Sequence, residues 1–295
     1  MTSKSSTGVL IAGFDAGQTH TRCRLSLRDG RVVGEGEGSG VSHLSSEQGP
    51  ERFERALQSS LKAARDQGGN ALAPLAAAAI GASGIEQNSP TQILGTDLAR
   101  QALGLDAVLV TGDERTALAG AFASGQAGIS LISGTGAIAL GQNEQGQQHR
   151  CAGWGWLVDG VGSAMDIGRD GLAISLRMAD GRLPETALKA ALWQTLGVQQ
   201  AHELKARVVD PSFGAAGFAR LAPVVHEQAL AGEAHAQSVL QHAGDELAAM
   251  VIGVAQALAL EAPALCCSGG AISHLTLLRQ TMDRALLERL PGLHH

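Results

Sequence analysis

The sequence predicts an α/β fold with an internal duplication, and three observations indicate it. Two strand-turn-strand units lie about 118 residues apart, and both carry small residues and a hydroxyl in the turn. Short apolar stretches of strand length recur along the chain and end in glycine-containing turns. Stretches of helical periodicity lie between them, as is typical of α/β domains, and 295 residues suffice for two domains of about 150 residues each.

The two units share one plan. In the first, the apolar strand Val9–Phe14 leads into a small-residue turn from Asp15 to Thr19, and Thr21–Leu27 alternates polar and apolar residues as a returning strand. In the second, Leu131 and Ile132 belong to a strand, the turn is Ser133-Gly134-Thr135-Gly136, and a second strand extends to Gln142. Backbone without side chains can approach phosphate oxygens closely, so we expect a nucleotide to be held between the two copies.

The other elements of the first half follow in order. Glycines alternate with polar residues from Gly34 to Gly40, which predicts the end of a strand and a loop near His43. A helical stripe runs from Glu51 to Arg65. Two buried strands are then predicted, Ala76–Ile80 before the turn Gly81-Ala82-Ser83-Gly84, and Ala107–Val110 before Thr111-Gly112-Asp113 and a helix over Glu114–Ala123.

In the second half, a glycine-rich loop from Gly153 to Ser163 contains two of the three tryptophans. Ser163 and Asp166 resemble a capping box that starts a helix ending near Met178. Residues 184–260 are nearly all helical in pattern, with a core stripe at Leu240, Ala243, Leu247, Met250, Val254 and Leu258. A short strand, Ala264–Cys267, then turns through Ser268-Gly269-Gly270 into one last helix whose apolar face carries Leu275, Leu278, Met282 and Leu286.

Composition excludes several classes of function. Lys and Arg number 22 against 28 acidic residues, so the net charge of -6 provides no basic surface for nucleic acid or an anionic membrane. The longest apolar runs are shorter than the roughly 20 residues of a membrane span, and we expect a cytoplasmic protein. The cysteines show neither a CxxC pair nor zinc-finger spacing, and we expect small buried hydrophobes at Cys23, Cys151, Cys266 and Cys267.

Two features allow two interpretations each. Asp113 lies between a strand and a helix, where it could cap the helix or face a ligand at the carboxyl edge of a sheet. Trp154 and Trp156 could anchor their loop or line a sugar or base pocket.

The predicted turns also limit the chemistry. Neither contains a lysine, and the chain has neither a GxxxxGK[ST] motif nor a GxGxxG motif after a strand. A phosphate cradle made of dipoles needs a divalent ion to balance the phosphate charge. We expect Mg²⁺ at Asp15, because Mg²⁺ typically takes one or two carboxylates together with phosphate oxygens.

These motifs, in this order, resemble those of the BadF/BadG/BcrA/BcrD ATPase family, and within it the N-acetylglucosamine kinases. The segments that carry the resemblance are Asp15 to Thr21, Gly112-Asp113, Ser133 to Gly136, Gly153-Trp154-Gly155 and Ser268-Gly269-Gly270. The resemblance implies a two-domain actin-like ATPase fold, which is ribonuclease H-like, with duplicated domains around a nucleotide cleft. We expect an N-terminal domain over residues 1–112 and a C-terminal domain over residues 113–282, with residues 283–295 returning to the first.

The resemblance also implies roles for single residues. Asp113 matches the general base and a sugar contact, and its match favours the ligand interpretation over a simple cap. Ser83 matches a sugar-contacting serine. Thr19 and Thr135 match phosphate-contacting threonines. The implied ATP site comprises Asp15, Gly17, Gln18, Thr19, Gly134, Thr135, Gly136, Gly217, Gly269, Gly270 and Ser273, and the implied sugar site comprises Ser42, Ser83, Asp113, Gly153, Trp154, Gly155 and Asp159.

The departures from the family pattern fall in the sugar site. Ser42 and Ile138 stand where the pattern has asparagines, and Asp159-Gly160-Val161-Gly162-Ser163 replaces Gly-Asp-Glu-Gly-Ser. Asp159 is thus one position early. Losing polar contacts from a buried polar site weakens discrimination between substrates, so glucosamine, another amino sugar or a different small polyol stays open beside N-acetylglucosamine.

Three functions are therefore weighed. The first is an ATP-dependent kinase that phosphorylates the primary hydroxyl, the 6-OH, of an amino sugar, acting without nucleic acid or membrane and as a homodimer. The second is an activator ATPase of a dehydratase or reductase system, which would need a cysteine-bound iron–sulfur cluster. The third is a sugar-sensing protein that retains the fold without the activity.

Overall fold

The computed structural model describes residues 9–69 and 74–294. The chain divides into two compact units, Met1–Ala119 and Gly120–His295, and the division falls within a helix. Each unit contains one mixed β-sheet with helices packed against it. The predicted α/β class and the internal duplication are confirmed.

The first unit has a five-stranded sheet in the order β3-β2-β1-β4-β5. Its strands are β1 Leu10–Ala16, β2 His20–Leu27, β3 Val32–Ser39, β4 Leu75–Ala82 and β5 Val108–Gly112. Its helices are α1 Gly49–Gly68, α2 Pro90–Leu103 and α3 Asp113–Ala121. The strands β1, β2 and β3 form an antiparallel meander, and β4 and β5 extend it in parallel with β1.

The second unit has a four-stranded sheet in the order β8-β7-β6-β9. Its strands are β6 Gly128–Ser133, β7 Ala137–Gln142, β8 Gln148–Ala152 and β9 Leu265–Ser268. Its helices are α4 Ala164–Ala179, α5 Ala187–Leu196, α6 Ala201–Val209, α7 Gly214–Ala219, α8 Ala222–Leu230, α9 Ala234–Ala257, α10 Gly270–His274 and α11 Thr276–Arg289.

The two sheets repeat one topology. In each, a three-stranded antiparallel meander is followed by a parallel strand that pairs with the first strand of the meander: β4 beside β1, and β9 beside β6. The parallel strand ends beside the turn of the first hairpin, so each sheet has a carboxyl edge where loops from separate parts of the chain meet.

The cores form where the patterns predicted. Leu10, Leu25, Phe53 and Ile80 are fully buried in the first unit. In the second, the predicted stripe from Leu240 to Leu258 is buried throughout, because α9 packs across the sheet and against α8 and α11. No helix within residues 9–69 and 74–294 is long and apolar enough to cross a membrane.

Several local predictions are wrong. Strand β8, Gln148–Ala152, was not predicted, whereas the end of β3 at Ser39 and the loop that contains His43 agree with the prediction. The last helix is split into α10 and α11 at Leu275, whose ψ of 85° is not helical. Cys266 is exposed, whereas a buried side chain was expected.

Candidate functional site

The first turn follows β1 and is held by backbone hydrogen bonds. The N–H of Gly17 donates to the carbonyl of His20 at 3.0 Å, and the N–H of Val41 donates to the carbonyl of Gly17 at 3.0 Å. A side chain at Gly40 would overlap the backbone of Gln18, so a glycine is required there. The strand includes Asp15, which was predicted in the turn. The side chains of Gln18 and Thr19 are exposed and therefore accessible to a ligand.

Three predicted site residues meet at the carboxyl edge of the first sheet. Asp15 lies near the end of β1, Ser83 follows β4, and Asp113 follows β5, and these three strands are adjacent and parallel. The N–H of Ser83 donates to the carbonyl of Ala16 at 3.0 Å, which ties the loop after β4 to the first turn. Topology thus gathers residues that are nearly one hundred positions apart in the sequence.

Asp113 is the first residue of α3 and is largely buried. Burial raises the pKa of its carboxyl group, and the negative charge of Asp15 raises it further. The backbone N–H groups of Asp113 and Glu114 and the Glu114 side chain oppose this shift by hydrogen bonding. The carboxylates of Asp15 and Asp113 are therefore close enough to repel each other, in a site where a cation would relieve the repulsion.

Glu114 was not among the predicted site residues. Only 8% of its surface is exposed, and its carboxyl group occupies the space above Gly112 that a side chain at that position would fill. Burial raises the pKa of Glu114, and the neighbouring charge of Asp113 raises it further. The signal in the sequence was Gly112 directly before two consecutive acids, and the prediction used only the first acid.

The predicted sugar residues Ser42 and Ser83 lie on two loops that converge. The ring of His43, next to Ser42, is 3.1 Å from the position that a Cβ atom would take on Gly84, next to Ser83. The loop of Ser42 is held by hydrogen bonds, since Ser46 Oγ donates to the carbonyl of His43 at 2.7 Å and lies 3.3 Å from Ser42 Oγ. Both serines are half-buried, so their hydroxyls stay within reach of a small polar ligand.

In the second unit, the turn Ser133–Gly136, hereafter the second turn, lies between two helix N-termini. The N–H of Ala164, the first residue of α4, donates to the carbonyl of Gly134 at 2.8 Å. A Cβ atom on Gly134 would lie 3.8 Å from the N atom of Gly270, where α10 begins. Gly269 must be glycine, because its φ is 101° and a side chain there would overlap the carbonyl of Ser133.

The structure thus brings together the predicted residues Gly134, Thr135, Gly136, Gly269 and Gly270. The N-terminus of the 16-residue α4 supplies a positive dipole end at the second turn, and such ends favour anions.

The two other residues that were predicted to bind adenosine, Ser273 and Gly217, lie in α10 and α7. Ser273 is exposed within α10, and its N–H donates to the carbonyl of Gly269 at 3.1 Å. Gly217 is buried in α7 with the ring of Phe213 against it, so a side chain at this position would not fit.

In the segment Gly153–Ser163, hereafter the tryptophan loop, one tryptophan ring is exposed to solvent and the other packs against helix α7. Trp154 is 65% exposed, with the Arg150 guanidinium carbon 3.9 Å from its ring centroid. The ring of Trp156 is 6.4 Å from that of Phe218 in α7. Trp156 therefore packs against α7 and anchors the loop, whereas a ligand role for the exposed Trp154 stays a prediction.

Asp159 also holds the loop. Its Oδ2 atom accepts a hydrogen bond from the N–H of Trp154 at 3.1 Å, so part of the carboxylate is engaged within the loop. Ile138 packs against Gly153, whose φ is 80°. The apolar residue in place of the family asparagine is thus part of the wall next to Trp154.

A buried network secures the end of the loop. Ser163 caps α4 as predicted, and its Oγ atom accepts from the N–H of Asp166 at 3.3 Å and donates to the carbonyl of Gly160 at 2.6 Å. Asp166 Oδ2 accepts from the N–H of Gly162 at 3.2 Å, and its Oδ1 pairs with Arg169. Ser133, from the second turn, donates through Oγ to the carbonyl of Gly162 at 2.8 Å.

The repeated sheet topology, with glycine turns at the sheet edges, defines an actin-like ATPase fold. The chain belongs to the BadF/BadG/BcrA/BcrD ATPase family, whose model matches residues 12–290. The family and the fold class predicted from the sequence are therefore confirmed.

Individual relatives agree with this assignment. The chain is 27% identical over 270 residues to an N-acetylmuramic acid/N-acetylglucosamine kinase of Clostridium acetobutylicum, covering 91% of this chain and 87% of the relative. It is 31% identical over 169 residues to an N-acetyl-D-glucosamine kinase of Dictyostelium discoideum, covering 56% of this chain and 53% of the relative.

Among solved structures, the chain is similar to one from Chromobacterium violaceum that is provisionally assigned as an N-acetylglucosamine kinase. The TM-score is 0.80 at 28% identity, with 96% and 94% of the two chains covered. A ROK family glucokinase from Streptomyces griseus, solved with glucose and AMPPNP, matches at a TM-score of 0.58 and 17% identity over 97% and 91% of the two chains, which supports the fold alone. These similarities support the predicted class, an ATP-dependent sugar kinase.

Proposed function

We propose that this protein transfers the γ-phosphoryl group of ATP to the primary hydroxyl, the 6-OH, of an amino sugar such as N-acetylglucosamine or glucosamine. The observation that carries the proposal is the position of Asp113, a largely buried carboxylate at the carboxyl edge of the sheet, beside Asp15 and the loop of Ser83. A base with a raised pKa at such an edge is suited to accept a proton near neutral pH.

In the proposed reaction, the 6-oxygen of the sugar attacks the γ-phosphorus while Asp113 accepts the hydroxyl proton. The bond between the γ-phosphorus and the β,γ-bridging oxygen breaks, and ADP leaves with that electron pair. Phosphoryl transfer depends mainly on positioning and on stabilisation of charge. Ser42 and Ser83 are proposed to orient the sugar hydroxyls, together with Gly153, Trp154, Gly155 and the free oxygen of Asp159.

The nucleotide is proposed to use the backbone and hydroxyls of both turns. Gly17, Gln18 and Thr19 belong to the first turn, and their exposed backbone and side chains suit phosphate oxygens. The second turn contributes Gly134, Thr135 and Gly136 beside the α4 N-terminus. The adenosine is assigned to Gly217, Gly269, Gly270 and Ser273.

The residues present suit a magnesium ion that is shared with the nucleotide. Asp15 is exposed at the end of β1, and its charge already raises the pKa of Asp113, so a cation here would lower the repulsion between the two groups. One carboxylate together with phosphate oxygens and water is a common ligand set for Mg²⁺. When bound, Mg²⁺ would neutralise phosphate charge, and Asp15 would hold it.

The proposed substrate class is the amino sugars. Ile138 and Val161 replace polar positions of the family pattern, so the part of the site formed by the tryptophan loop is more apolar than the pattern implies. The relative from Clostridium acetobutylicum carries N-acetylmuramic acid in its name as well as N-acetylglucosamine. An acceptor with a bulky acyl or ether substituent therefore belongs among the substrates to be tested.

A panel of acceptors with Mg-ATP tests the proposal. ADP release is measured with N-acetylglucosamine, glucosamine, N-acetylmuramic acid, glucose and glycerol. At least one amino sugar should stimulate release, and NMR of the product should show phosphate on the 6-oxygen. Asp113→Asn tests the proposed base. This variant should bind ATP nearly normally, while its turnover falls by about 10²–10⁴-fold.

The outcomes distinguish the alternatives. Unchanged turnover in Asp113→Asn removes this residue from the mechanism. Sugar binding without turnover favours a sensor, and sugar-independent ATP hydrolysis by a coloured protein favours an activator ATPase. A homodimer in the cytoplasm is part of the proposal and is tested by light scattering and by localisation of the tagged chain.

A further inference from the structure

We propose that Ser133 is a positioning residue that ties the second turn to the tryptophan loop, so that nucleotide bound at the turn and sugar bound at the loop depend on each other. The inference deepens the proposed function and rests on it. It assigns a role to a side chain that the proposed phosphate contacts do not require, since those are assigned to backbone groups and to Thr135.

The first step is the pairing between turn and loop. Ser133 is fully buried at the end of β6, and its Oγ atom donates to the carbonyl of Gly162 at 2.8 Å. The next residue, Gly134, accepts from the N–H of Ala164 at 2.8 Å. Two consecutive residues of the turn therefore hold the two residues on either side of Ser163.

The second step is the rigidity of the loop end. Gly162 is also held through its N–H by Asp166, and its φ is 83°. A side chain at Gly162 would lie 2.7 Å from Leu247 of α9, so this backbone is pressed against the core. Ser133 therefore connects the second turn to a backbone segment that is itself fixed at the start of α4.

The third step is the exposure of the rest of the loop. Leu157 and Val158 are 78% and 84% exposed, and Trp154 contacts solvent over most of its surface. The exposed part takes its direction from the anchored end and from the contacts of Trp156. The hydroxyl of Ser133 thus sets the position of the sugar-facing part of the loop relative to the phosphate-facing turn.

The test compares Ser133→Ala with Ser130→Ala, a control that removes a buried hydroxyl from the same strand. Ser133→Ala should raise the sugar KM by about 10–100-fold, because small misplacement of a positioning contact is costly. Binding of Mg-ATP, measured by calorimetry without sugar, should stay within about threefold of wild type. Ser130→Ala should leave both values near wild type.

Tryptophan fluorescence gives a readout that does not depend on turnover. Trp154 and Trp156 are in the loop, whereas Trp193 is buried and donates through Nε1 to Ser175 at 2.9 Å. In a Trp193→Phe background the signal comes from the loop alone. Adding Mg-ATP should change the emission of this protein, and Ser133→Ala should abolish the change while calorimetry still detects ATP.

A second variant breaks the same connection at another residue, so the experiment stays informative if Ser133→Ala does not fold. Ala164→Pro removes the N–H that donates to Gly134, at a first helical position where proline is favoured and after a residue with extended backbone. It should show the same rise in sugar KM and the same loss of the fluorescence response. Circular dichroism confirms that each variant is folded.

The inference is overturned if both folded variants keep the wild-type sugar KM and fluorescence response. It is also overturned if they weaken ATP and sugar binding equally, because the network would then be merely structural. Failure of the proposed function is a separate result, in which the wild-type protein shows no sugar-dependent ADP release. In that case the fluorescence response to Mg-ATP still decides whether turn and loop are coupled.

Discussion

Asp113 and Glu114 place two carboxyl groups in a site that disfavours their charged forms. Burial raises the pKa of both, and each is affected by another acid nearby, Asp15 for the first and Asp113 for the second. Folding must therefore overcome the cost of desolvating these groups, and the proposed base is a source of instability at neutral pH. Active sites commonly trade stability for function in this way.

This cost predicts that Asp113→Asn raises Tm at about pH 7.5. Because the folded-state pKa of Asp113 is raised, the folded protein holds the proton more tightly than the unfolded chain, and the associated stability is lost as pH rises through the folded pKa. The gain should therefore shrink as the pH falls through the raised pKa of Asp113 toward the ordinary pKa of an aspartate, because the folded protein then carries the proton. Differential scanning fluorimetry across this range measures it.

The control for that experiment is Asp180→Asn. Asp180 is exposed, and hydrogen bonds from Arg182 lower the pKa of its carboxyl group. Its removal should not raise Tm at neutral pH. An Asp113→Asn protein that is folded but has an unchanged or lower Tm at about pH 7.5 would contradict the argument.

The sequence predicted the residues that follow strand ends more readily than those that support them. Asp15, Ser83 and Asp113 could be found because each lies at or just after the end of an apolar strand, and parallel strands bring such ends together. Glu114 and Asp166 were visible as a second acid after Gly112 and as part of a capping pattern, but their roles were not predicted, since these depend on the space above Gly112 and on the N–H of Gly162. The ligand contacts of Asp15, Ser83 and Asp113 stay predictions.

Among the secondary-structure elements, β3 and α1 form an unusually close pair. Gly34, Gly36 and Gly38 face α1, and a side chain at any of them would overlap the helix backbone or a side chain on it. On the opposite face, Glu35 and Glu37 pair with Arg24 and Arg22 of β2 at 2.7 and 3.3 Å. The alternation of glycine and acid therefore marks a strand with one side against a helix and one in solvent.

Gly36→Ala should destabilise the protein by about 1–3 kcal/mol, because the added methyl group meets backbone atoms of Ser60 and Ala64 that cannot rotate away. The midpoint of urea unfolding measures the loss. Gly13→Ala is the matched control on β1, since a Cβ atom there meets nothing within 4 Å. It should be neutral or slightly stabilising, and equal losses in the two variants would refute the explanation.

The missed elements show which local signals were overlooked and which were hidden. Helix α2 was signalled by Ser89 before Pro90 and by Gly104 at its end, and Ser89 Oγ accepts from the N–H of Gln92 at 3.2 Å. The break between α10 and α11 was hidden, because Leu275 lies on the same apolar face as Leu278 and is buried with it. Periodicity reports which side chains are buried and does not report whether the backbone is continuous.

In the whole molecule, the same sheet topology occurs twice, and each copy has a glycine-containing turn after its first strand. The meander of each sheet is followed by a parallel strand, with β4 and β9 in equivalent places. The repeat was predictable because the turns after β1 and β6 are similar in the sequence. The expected domains, residues 1–112 and 113–282, remain a prediction, while contacts divide the chain at Ala119 and Gly120, and α11 packs against α9 in the second unit.

Binding of Mg-ATP should raise Tm in the absence of sugar. A ligand at 100 times its Kd stabilises a protein by about 2.7 kcal/mol. Chelation of Mg²⁺ with EDTA should remove most of this gain, and Asp15→Asn should make the remaining shift insensitive to EDTA. The control Asp97→Asn, on the exposed side of α2, should behave as wild type, and an EDTA-sensitive shift of full size in Asp15→Asn would rule out Asp15 as the metal ligand.

The close contact of β3 with α1 also has an evolutionary consequence. Substitutions can accumulate on the solvent side of this strand, because Glu35 and Glu37 point away from the helix. On the other side even one methyl group is too large, so Gly34, Gly36 and Gly38 should tolerate no neutral drift. A saturation library over residues 34–38 should therefore return varied amino acids at every second codon only.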